Sequence, residues 1–155
     1  MKVTKLTKAS SKDAFLLSGI AQKAKAHWGY PAEWLELWKP DLTFDQDYLN
    51  SHNTYTISED GTSTPLGFCI VIEEGNHFQI EHCWVNQSQI GKGLGKKLME
   101  EVLKKEPYLN HEFQVLSDPN AVGFYEKFGF QVKQMIPGVP EGRELPLMVM
   151  TNHST

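Results

Sequence analysis

The stretch from His77 to Leu103 constrains the fold most, because the spacing of its apolar residues changes partway along. Its first part alternates with a period of two, which predicts a strand with two different faces. One face carries Phe78, Ile80, His82 and Trp84, and the other carries Gln79, Glu81 and Cys83 before Val85 closes the run. Beyond Gly91 the apolar residues recur at helical spacing, at Leu94, Leu98, Met99, Val102 and Leu103. The stretch therefore predicts a strand, a loop and an amphipathic helix.

Three glycines, Gly91, Gly93 and Gly95, separate this strand from the helix. Without a Cβ the backbone can approach a ligand closely, and a helix start offers unpaired N–H groups with partial positive charge. Positive side chains stand nearby at Lys92, Lys96 and Lys97. We expect this loop to hold a phosphate or diphosphate. The alternative is a glycine-rich turn that binds no ligand.

Two common phosphate-binding motifs do not match this loop. A P-loop needs Ser or Thr after its Gly-Lys pair, but here Lys96 is followed by Lys97. A dinucleotide-binding loop needs a third glycine three residues after a Gly-x-Gly pair. Lys96 and Leu98 occupy that place for the two possible pairs. The chain therefore matches neither nucleotide-binding motif.

The composition predicts one globular domain spanning residues 1–155, with 40% hydrophobic and 22% charged residues. A net charge of −4 argues against a general nucleic-acid or anionic-membrane surface. The sequence has no apolar run of membrane-spanning length, and its first residues lack a signal-peptide core. We therefore expect a cytoplasmic protein.

The two cysteines, Cys69 and Cys83, both fall inside predicted strands. Buried, reduced thiols are the expected state, and their spacing matches no zinc-binding pattern, so no metal site is predicted. A hairpin turn at residues 74–76 would place the two thiols roughly opposite each other. A redox link between them is the less favoured alternative.

The chain as a whole predicts an α+β fold with the element order β-α-α-β-β-β-α-β-α-β-β. The predicted strands cover residues 2–7, 54–58, 66–72, 77–85, 111–116, 130–136 and 145–150. The first helix is predicted at 12–27, and the second begins at Pro31 and is stopped by Pro40. A third helix follows the glycine loop, and a fourth covers 119–128 and ends at Gly129. Ser10 or Ser11 caps the first helix, and residues 43–46 resemble a capping box for a short helical turn ending at Leu49. Residues 151–155 are expected to fray.

Two motifs resemble the GNAT superfamily of N-acyltransferases. In the family's first motif an Arg or Gln precedes Gly-x-Gly by three residues; here Gly93 and Gly95 match, and Ile90 departs from the pattern. That departure removes a side chain but leaves the backbone donors of the loop. The second motif, Asp118–Phe130, reads DPNAVGFYEKFGF and resembles the family's Tyr-Glu-Lys helix ending at Gly-Phe. The resemblance implies a GNAT-type fold, with a mixed central β-sheet flanked by about four helices.

The resemblance also implies an acetyl-CoA-dependent N-acetyltransferase in which an amine attacks the thioester directly, without a metal. The residues expected to bind coenzyme A are Val85, Ile90, Gly91, Lys92, Gly93, Leu94, Gly95, Lys96, Asn120 and Tyr125. Val85 would contribute a backbone N–H to the thioester carbonyl. The expected acceptor is a primary amine of a small molecule, with a protein amine as the second option. The alternatives are a non-catalytic acyl-CoA-binding sensor or interaction module and an acyltransferase that uses another acyl-CoA.

The acid and base of this reaction have three candidates. Tyr125 is expected to protonate the departing thiolate, because a phenol stays protonated at neutral pH; its helical spacing also fits a core aromatic. Glu81 and His82 compete as the base that deprotonates the amine, with Glu81 preferred through the resemblance. Their side chains point to opposite faces of the strand, and burying Glu81 would be costly. A water relay that needs neither residue is also open.

The acceptor pocket is expected at the junction of the first two helices, which overhangs the acceptor in the resembled family. The candidate substrate-binding residues are His27, Trp28, Tyr30 and Arg143. Aromatic rings there could stack on an apolar or cationic substrate. Arg143 would pair with a substrate carboxylate or with the nearby acids Glu141 and Glu144. The resemblance also implies a homodimer.

Overall fold

The computed structural model describes residues 1–153, which contain seven strands and five α-helices. The strands are β1 (Lys2–Lys5), β2 (Asn53–Ser58), β3 (Gly67–Glu74), β4 (His77–Val85), β5 (Glu112–Leu116), β6 (Gln131–Pro137) and β7 (Glu144–Thr151). The helices are α1 (Ser11–Ala26), α2 (Ala32–Trp38), α3 (Gln46–Ser51), α4 (Leu94–Leu103) and α5 (Val122–Glu126). The α+β prediction is confirmed, and the short turn predicted to end at Leu49 is α3.

The seven strands form one mixed sheet in the order β1-β2-β3-β4-β5-β7-β6. β1 lies at an edge, as its lysines predicted, because an edge strand leaves long charged side chains in water. The β4–β5 pair is parallel and joins Phe78–Ile80 to Phe113–Val115, while β4 itself continues to Val85. The candidate thioester-binding residue Val85 therefore lies beyond this paired segment.

The chain forms two compact units. The first contains Met1–Ile70 and His82–Val102, and the second contains Val71–Glu81 and the chain from Leu103 onward. Strands β3 and β4 contribute residues to both units. The single domain spanning residues 1–155 stays a prediction.

The first unit is built on the two apolar helix faces that the sequence predicted. In α4 the stripe of Leu94, Leu98, Met99 and Val102 is buried. In α1, Leu17, Ile20 and Ala21 join a core cluster with Trp38, Phe44 and Phe68. Ser10 begins α1 with a capping box, in which its Oγ accepts from the N–H of Asp13 at 3.2 Å. Each large apolar side chain buried here stabilises the fold by roughly 1.5–3 kcal/mol.

The second unit has an aromatic core and an anchored C-terminal segment. The rings of Phe78, Tyr108 and Phe113 contact one another with centroids 4.9–5.5 Å apart. Asn152 is buried, and its Nδ2 donates to the carbonyl oxygens of Leu103 at 2.9 Å and Tyr108 at 2.7 Å. The prediction that residues 151–155 fray was therefore wrong for 151 and 152; residues 154 and 155 lie outside the described chain.

One predicted helix start was misplaced, and one predicted helix differs in type along its length. The N-cap of α3 is Asp45, whose Oδ1 accepts from the N–H of Tyr48 at 2.8 Å, whereas the Thr43 hydroxyl donates to the carbonyl of Lys39. The helix predicted over 119–128 is a 3-10 turn at Pro119–Ala121 followed by α5. Asp118 accepts from the N–H two residues ahead, which favours a tight turn over a full α-helical start. Gly129 has φ of +96° and ends the segment as predicted.

Candidate functional site

The glycine loop in the first unit is held open by its backbone. Asn86 Oδ1 accepts from the N–H of Ser88 at 3.0 Å, and a 3-10 turn over Gln87–Gln89 leads into the loop. Gly91 and Gly93 have φ of +83° and +81°, and no atom lies within 4 Å of a Cβ placed on either glycine. These conformations require glycine, and the open space beside them would admit a ligand.

Helix α4 starts directly at this loop. Lys97 N–H donates to the carbonyl of Gly93 at 3.1 Å, which is the first helical hydrogen bond. The N–H groups of Leu94, Gly95 and Lys96 therefore belong to the first turn, where no preceding helical carbonyl is available. These residues fit a diphosphate, because its oxygens accept such hydrogen bonds and its charge is favoured at a helix start.

The three lysines near the loop differ in their surroundings. Lys96 Nζ lies 3.9 Å from Glu100 Oε1, and Lys97 Nζ lies 3.2 Å from Glu101 Oε1. Lys92 is exposed between the two left-handed glycines and makes no ion pair within residues 1–153. Lys92 is thus the cation of the loop itself, whereas the other two are shared with glutamates along α4.

His82 and Trp84 form a hydrogen-bonded pair on one face of β4. Trp84 Nε1–H donates to His82 Nδ1 at 3.0 Å, and the edge of the Phe44 ring contacts the imidazole at 4.8 Å between centroids. Burial lowers the pKa of His82 from 6.5 to about 4. At neutral pH the ring is therefore uncharged, with its one proton on Nε2. This arrangement suits a hydrogen-bond donor and disfavours His82 as the base.

Glu81 belongs to the second unit and is exposed. Gln79 Nε2 donates to Glu81 Oε2 at 2.8 Å. The expected cost of burying this carboxylate therefore does not arise. Its solvent access keeps Glu81 available as a proton acceptor, either directly or through water.

Tyr125 is buried in α5 of the second unit. Its ring contacts Phe124 and Phe130 at centroid distances of 5.1 and 5.5 Å. Asn120 is hydrogen-bonded within its own segment, because its backbone N–H and its Nδ2 donate to Asp118 Oδ1 at 2.8 and 3.1 Å. This packing matches the core role, and the acid role of Tyr125 stays a prediction.

Arg143 pairs with an acid other than the two nearby ones named from the sequence, and its role in substrate binding stays a prediction. Its Nη2 lies 3.6 Å from Asp118 Oδ2, and the two side chains are only 10% and 9% exposed. The expectation that Glu141 or Glu144 pairs with Arg143 was wrong, because Asp118 offers a buried carboxylate in the same unit. This ion pair holds the loop before β7 to the start of the α5 segment.

An aromatic cluster at the junction of α1 and α2 surrounds a lysine that the sequence analysis did not single out. Lys25 is only 8% exposed, and its Nζ lies 4.6, 5.1 and 5.9 Å from the ring centroids of Trp38, Tyr30 and Trp84. Such contacts attract a cation to the ring faces. The sequence could have indicated this position, because Lys25 follows the buried Ala21 by four residues and so lies on the same face of α1. His27 and Trp28 form an edge contact at 5.5 Å and are exposed.

A groove of about 960 Å³ runs across the first unit. Its lining includes Phe15, Phe44, Pro65, Leu66, Asn86 and Gln87. Phe15, at one side of the groove, is 81% exposed, and Asn86 directly follows the last residue of β4. The groove is assembled from segments far apart in sequence, so no local pattern could have predicted it.

Comparisons with known proteins identify the family. Residues 21–150 match the family described as Acetyltransferase (GNAT) domain. The chain belongs to the GNAT acetyltransferase family. It is 30% identical over 106 residues to the peptidyl-lysine N-acetyltransferase YiaC of Escherichia coli strain K12, which covers 68% of each chain.

Solved structures show the same GNAT fold. The PaiA N-acetyltransferase of Thermoplasma acidophilum, in complex with coenzyme A, has a TM-score of 0.70 and 22% identity over 97% of this chain and 99% of that one. An aminoglycoside 6'-N-acetyltransferase complexed with coenzyme A has a TM-score of 0.70 and 13% identity, covering 100% and 99% of the two chains. Because it belongs to the GNAT acetyltransferase family, the chain is an acetyl-CoA-dependent N-acetyltransferase.

Residues 1–153 of the GNAT chain lack two further features. None of its helices there combines the length and apolar character needed to cross a membrane. The same residues contain no cluster of three or more His, Cys, Asp or Glu side chains able to hold a metal ion.

Proposed function

We propose that this GNAT chain transfers the acetyl group of acetyl-CoA to a primary amine of the lysine type, by direct attack of the amine on the thioester. The observation that carries the proposal is the loop at Gly91–Gly95, where two left-handed glycines and a helix start leave room and donors for a diphosphate. The reaction forms an amide and releases the free thiol of coenzyme A, and the amine's proton passes to a base.

Each step has a candidate residue. The N–H groups of residues 94–96 and the Lys92 ammonium hold the diphosphate, while the N–H of Val85 polarises the thioester carbonyl. The solvated carboxylate of Glu81 takes the amine's proton, directly or through water. Tyr125 gives a proton to the departing thiolate. His82, being neutral, contributes a donor at Nε2 and not a base.

The acceptor can be a lysine in a peptide or the amine of a small molecule. The relative YiaC, a peptidyl-lysine N-acetyltransferase, supports the peptide, and the large groove beside Phe15 offers a place for residues that flank the lysine. The exposed ring of Trp28 supports recognition of an alkylammonium in either case, because a cation is attracted to an aromatic face.

The first test is turnover. Release of coenzyme A should be followed with lysine peptides and with a panel of small amines, for wild type and for Tyr125→Phe. Turnover on at least one amine, with a lower kcat in Tyr125→Phe, is expected. Binding of acetyl-CoA without turnover on any amine would favour a non-catalytic acyl-CoA-binding sensor instead. Turnover only with a longer acyl-CoA would mean that acetyl-CoA is not the acyl donor.

The second test separates the two acceptor classes. Phe15→Ser should raise KM for a lysine peptide several-fold and leave KM for a small amine unchanged, because only a peptide reaches the groove. Leu37→Ser is the matched control, since Leu37 is an exposed apolar residue of α2 outside the groove lining. Equal KM values in wild type and Phe15→Ser would remove the groove from peptide recognition.

We also propose a cytoplasmic homodimer. The exposed side chains of Val132 and Met135 on the edge strand β6 support self-association, because apolar side chains at a sheet edge favour burial against another chain. Light scattering during gel filtration should give twice the monomer mass. A monomer at micromolar concentration would remove this proposal without affecting the catalytic one.

A further inference from the structure

Cys69 on β3 and Cys83 on β4 are neighbouring thiols in the first unit. Both are free, and Cys83 lies close enough to raise the pKa of the Cys69 thiol. Cys69 is fully buried, whereas Cys83 is half-buried. The sequence contains two cysteines, so this pair accounts for every thiol of the chain.

The register of the hairpin explains the contact. Asn86 N–H donates to the carbonyl of Leu66 at 2.7 Å, which aligns the two strands at this end. One position further in, Gly67 faces Val85, because a Cβ placed on Gly67 would lie 3.0 Å from Val85 Cγ1. Extending this pairing by two positions places Cys69 opposite Cys83 on the same face of the sheet.

This position has the spacing that a disulfide needs. Residue pairs in an antiparallel ladder alternate between those that exchange backbone hydrogen bonds and those that do not. The Leu66–Asn86 bond makes Gly67–Val85 a pair of the second kind, and alternation makes Cys69–Cys83 another. The Cα atoms of such pairs are about 4.5 Å apart, within the range of roughly 4.4–6.8 Å found for disulfides.

We propose that Cys69 and Cys83 form an oxidisable dithiol, a modification site at which a low-molecular-weight disulfide converts the two thiols into a cross-strand disulfide. Cys83 is the first thiol to react, because solvent reaches it. Cys69 is the resolving thiol, because it is buried and lies next to Cys83.

The exchange proceeds in two balanced steps. The Cys83 thiolate attacks one sulfur of the reagent, which forms a mixed disulfide and releases one small thiol. Deprotonated Cys69 then attacks the Cys83 sulfur and releases the second small thiol. Two protein thiols are oxidised, one reagent disulfide is reduced, and the two protons leave on the small thiols. The neighbouring Cys83 and burial raise the pKa of Cys69, so the second step should accelerate as the pH rises.

The test uses hydroxyethyl disulfide on the native full-length protein, followed by alkylation and intact mass measurement. Wild type should become lighter by two hydrogen atoms, accept no alkyl group and melt at a higher temperature; dithiothreitol should reverse both changes. Cys69→Ala should stop at one mercaptoethanol adduct on Cys83, and Cys83→Ala should remain unmodified. A time course of wild type at pH 6 and pH 9 should show the adduct persisting longer at pH 6. This measurement does not depend on either variant being able to fold.

Three results would overturn the proposal. In the first, native wild type treated with hydroxyethyl disulfide keeps two alkylatable thiols, while the urea-unfolded chain reacts with the reagent. In the second, wild type stops at the mercaptoethanol adduct at both pH values. In the third, oxidation forms a disulfide between two chains. None of these measurements involves acetyl transfer, so failure here leaves the proposed enzyme function standing.

Discussion

His82→Asn tests whether the imidazole in β4 is held neutral. An asparagine Oδ1 can accept the Trp84 indole proton in place of His82 Nδ1, while the side chain no longer titrates. In the unfolded chain this histidine has its ordinary pKa near 6.5, whereas burial lowers the pKa to about 4 in the folded chain. The unfolded state therefore binds more protons between these values, and stability falls as the pH drops.

The size of the effect follows from the two pKa values. A difference of about 2.5 units corresponds to roughly 3 kcal/mol once the pH is below both values. Between pH 8 and pH 5 the loss from His82 alone is about 2 kcal/mol. For a chain of this length that corresponds to a fall in Tm of roughly 4–8 °C.

The assay is urea unfolding of wild type and His82→Asn at several pH values from 8 to 5. The stability of wild type should fall by about 2 kcal/mol more than that of the variant across this range. His153→Asn is the control, because its side chain is exposed and it should follow wild type. Parallel curves for wild type and His82→Asn would refute the neutral, buried state. Loss of turnover in His82→Asn at pH 8, with normal turnover in Glu81→Gln, would restore His82 as the base.

Three further substitutions test other contacts. Gly93→Ala should weaken acetyl-CoA binding measured by calorimetry and cost about 1–2 kcal/mol of stability, because φ is +81° there; Gly123→Ala, at a glycine with open space and no positive φ, is the control. Arg143→Met should lower the unfolding free energy by about 3 kcal/mol by leaving Asp118 buried without this partner, and adding Asp118→Asn should recover part of the loss. Asn152→Ala should cost about 2 kcal/mol in urea unfolding, because two carbonyl oxygens lose their donor; an unchanged midpoint would contradict the anchoring role.

The regular elements were predictable because burial leaves a local pattern in the sequence. Leu94, Leu98 and Val102 recur at helical spacing and are all fully or almost fully buried, so α4 could be assigned from its period alone. Helix starts were harder, because a few hydrogen bonds decide them. Thr43 and Asp45 are both good caps by residue type, but the Thr43 hydroxyl is already engaged by Lys39.

The candidate site was predictable only where one segment forms it. The loop from Gly91 to Gly95 carries its own backbone geometry, and its left-handed glycines follow from local sterics. The partner of Arg143 could not be predicted, because Asp118 is 25 positions away and two nearer acids were equally good candidates by charge. The groove beside Phe15 combines α1, the loop before β3 and the residues after β4, which no periodicity connects.

The choice between His82 and Glu81 as the base depends on which side chain has a free lone pair and access to solvent. Composition alone could not decide it. His82 has the better reference pKa, yet Trp84, two residues ahead on the same strand face, uses its Nδ1 lone pair. Protonating Nδ1 would break that bond and charge a buried ring, so burial and the indole both oppose it. Glu81 points to the other face and keeps its carboxylate in water. A base must accept a proton and then release it to solvent, and both requirements support Glu81 over His82 in the proposed reaction.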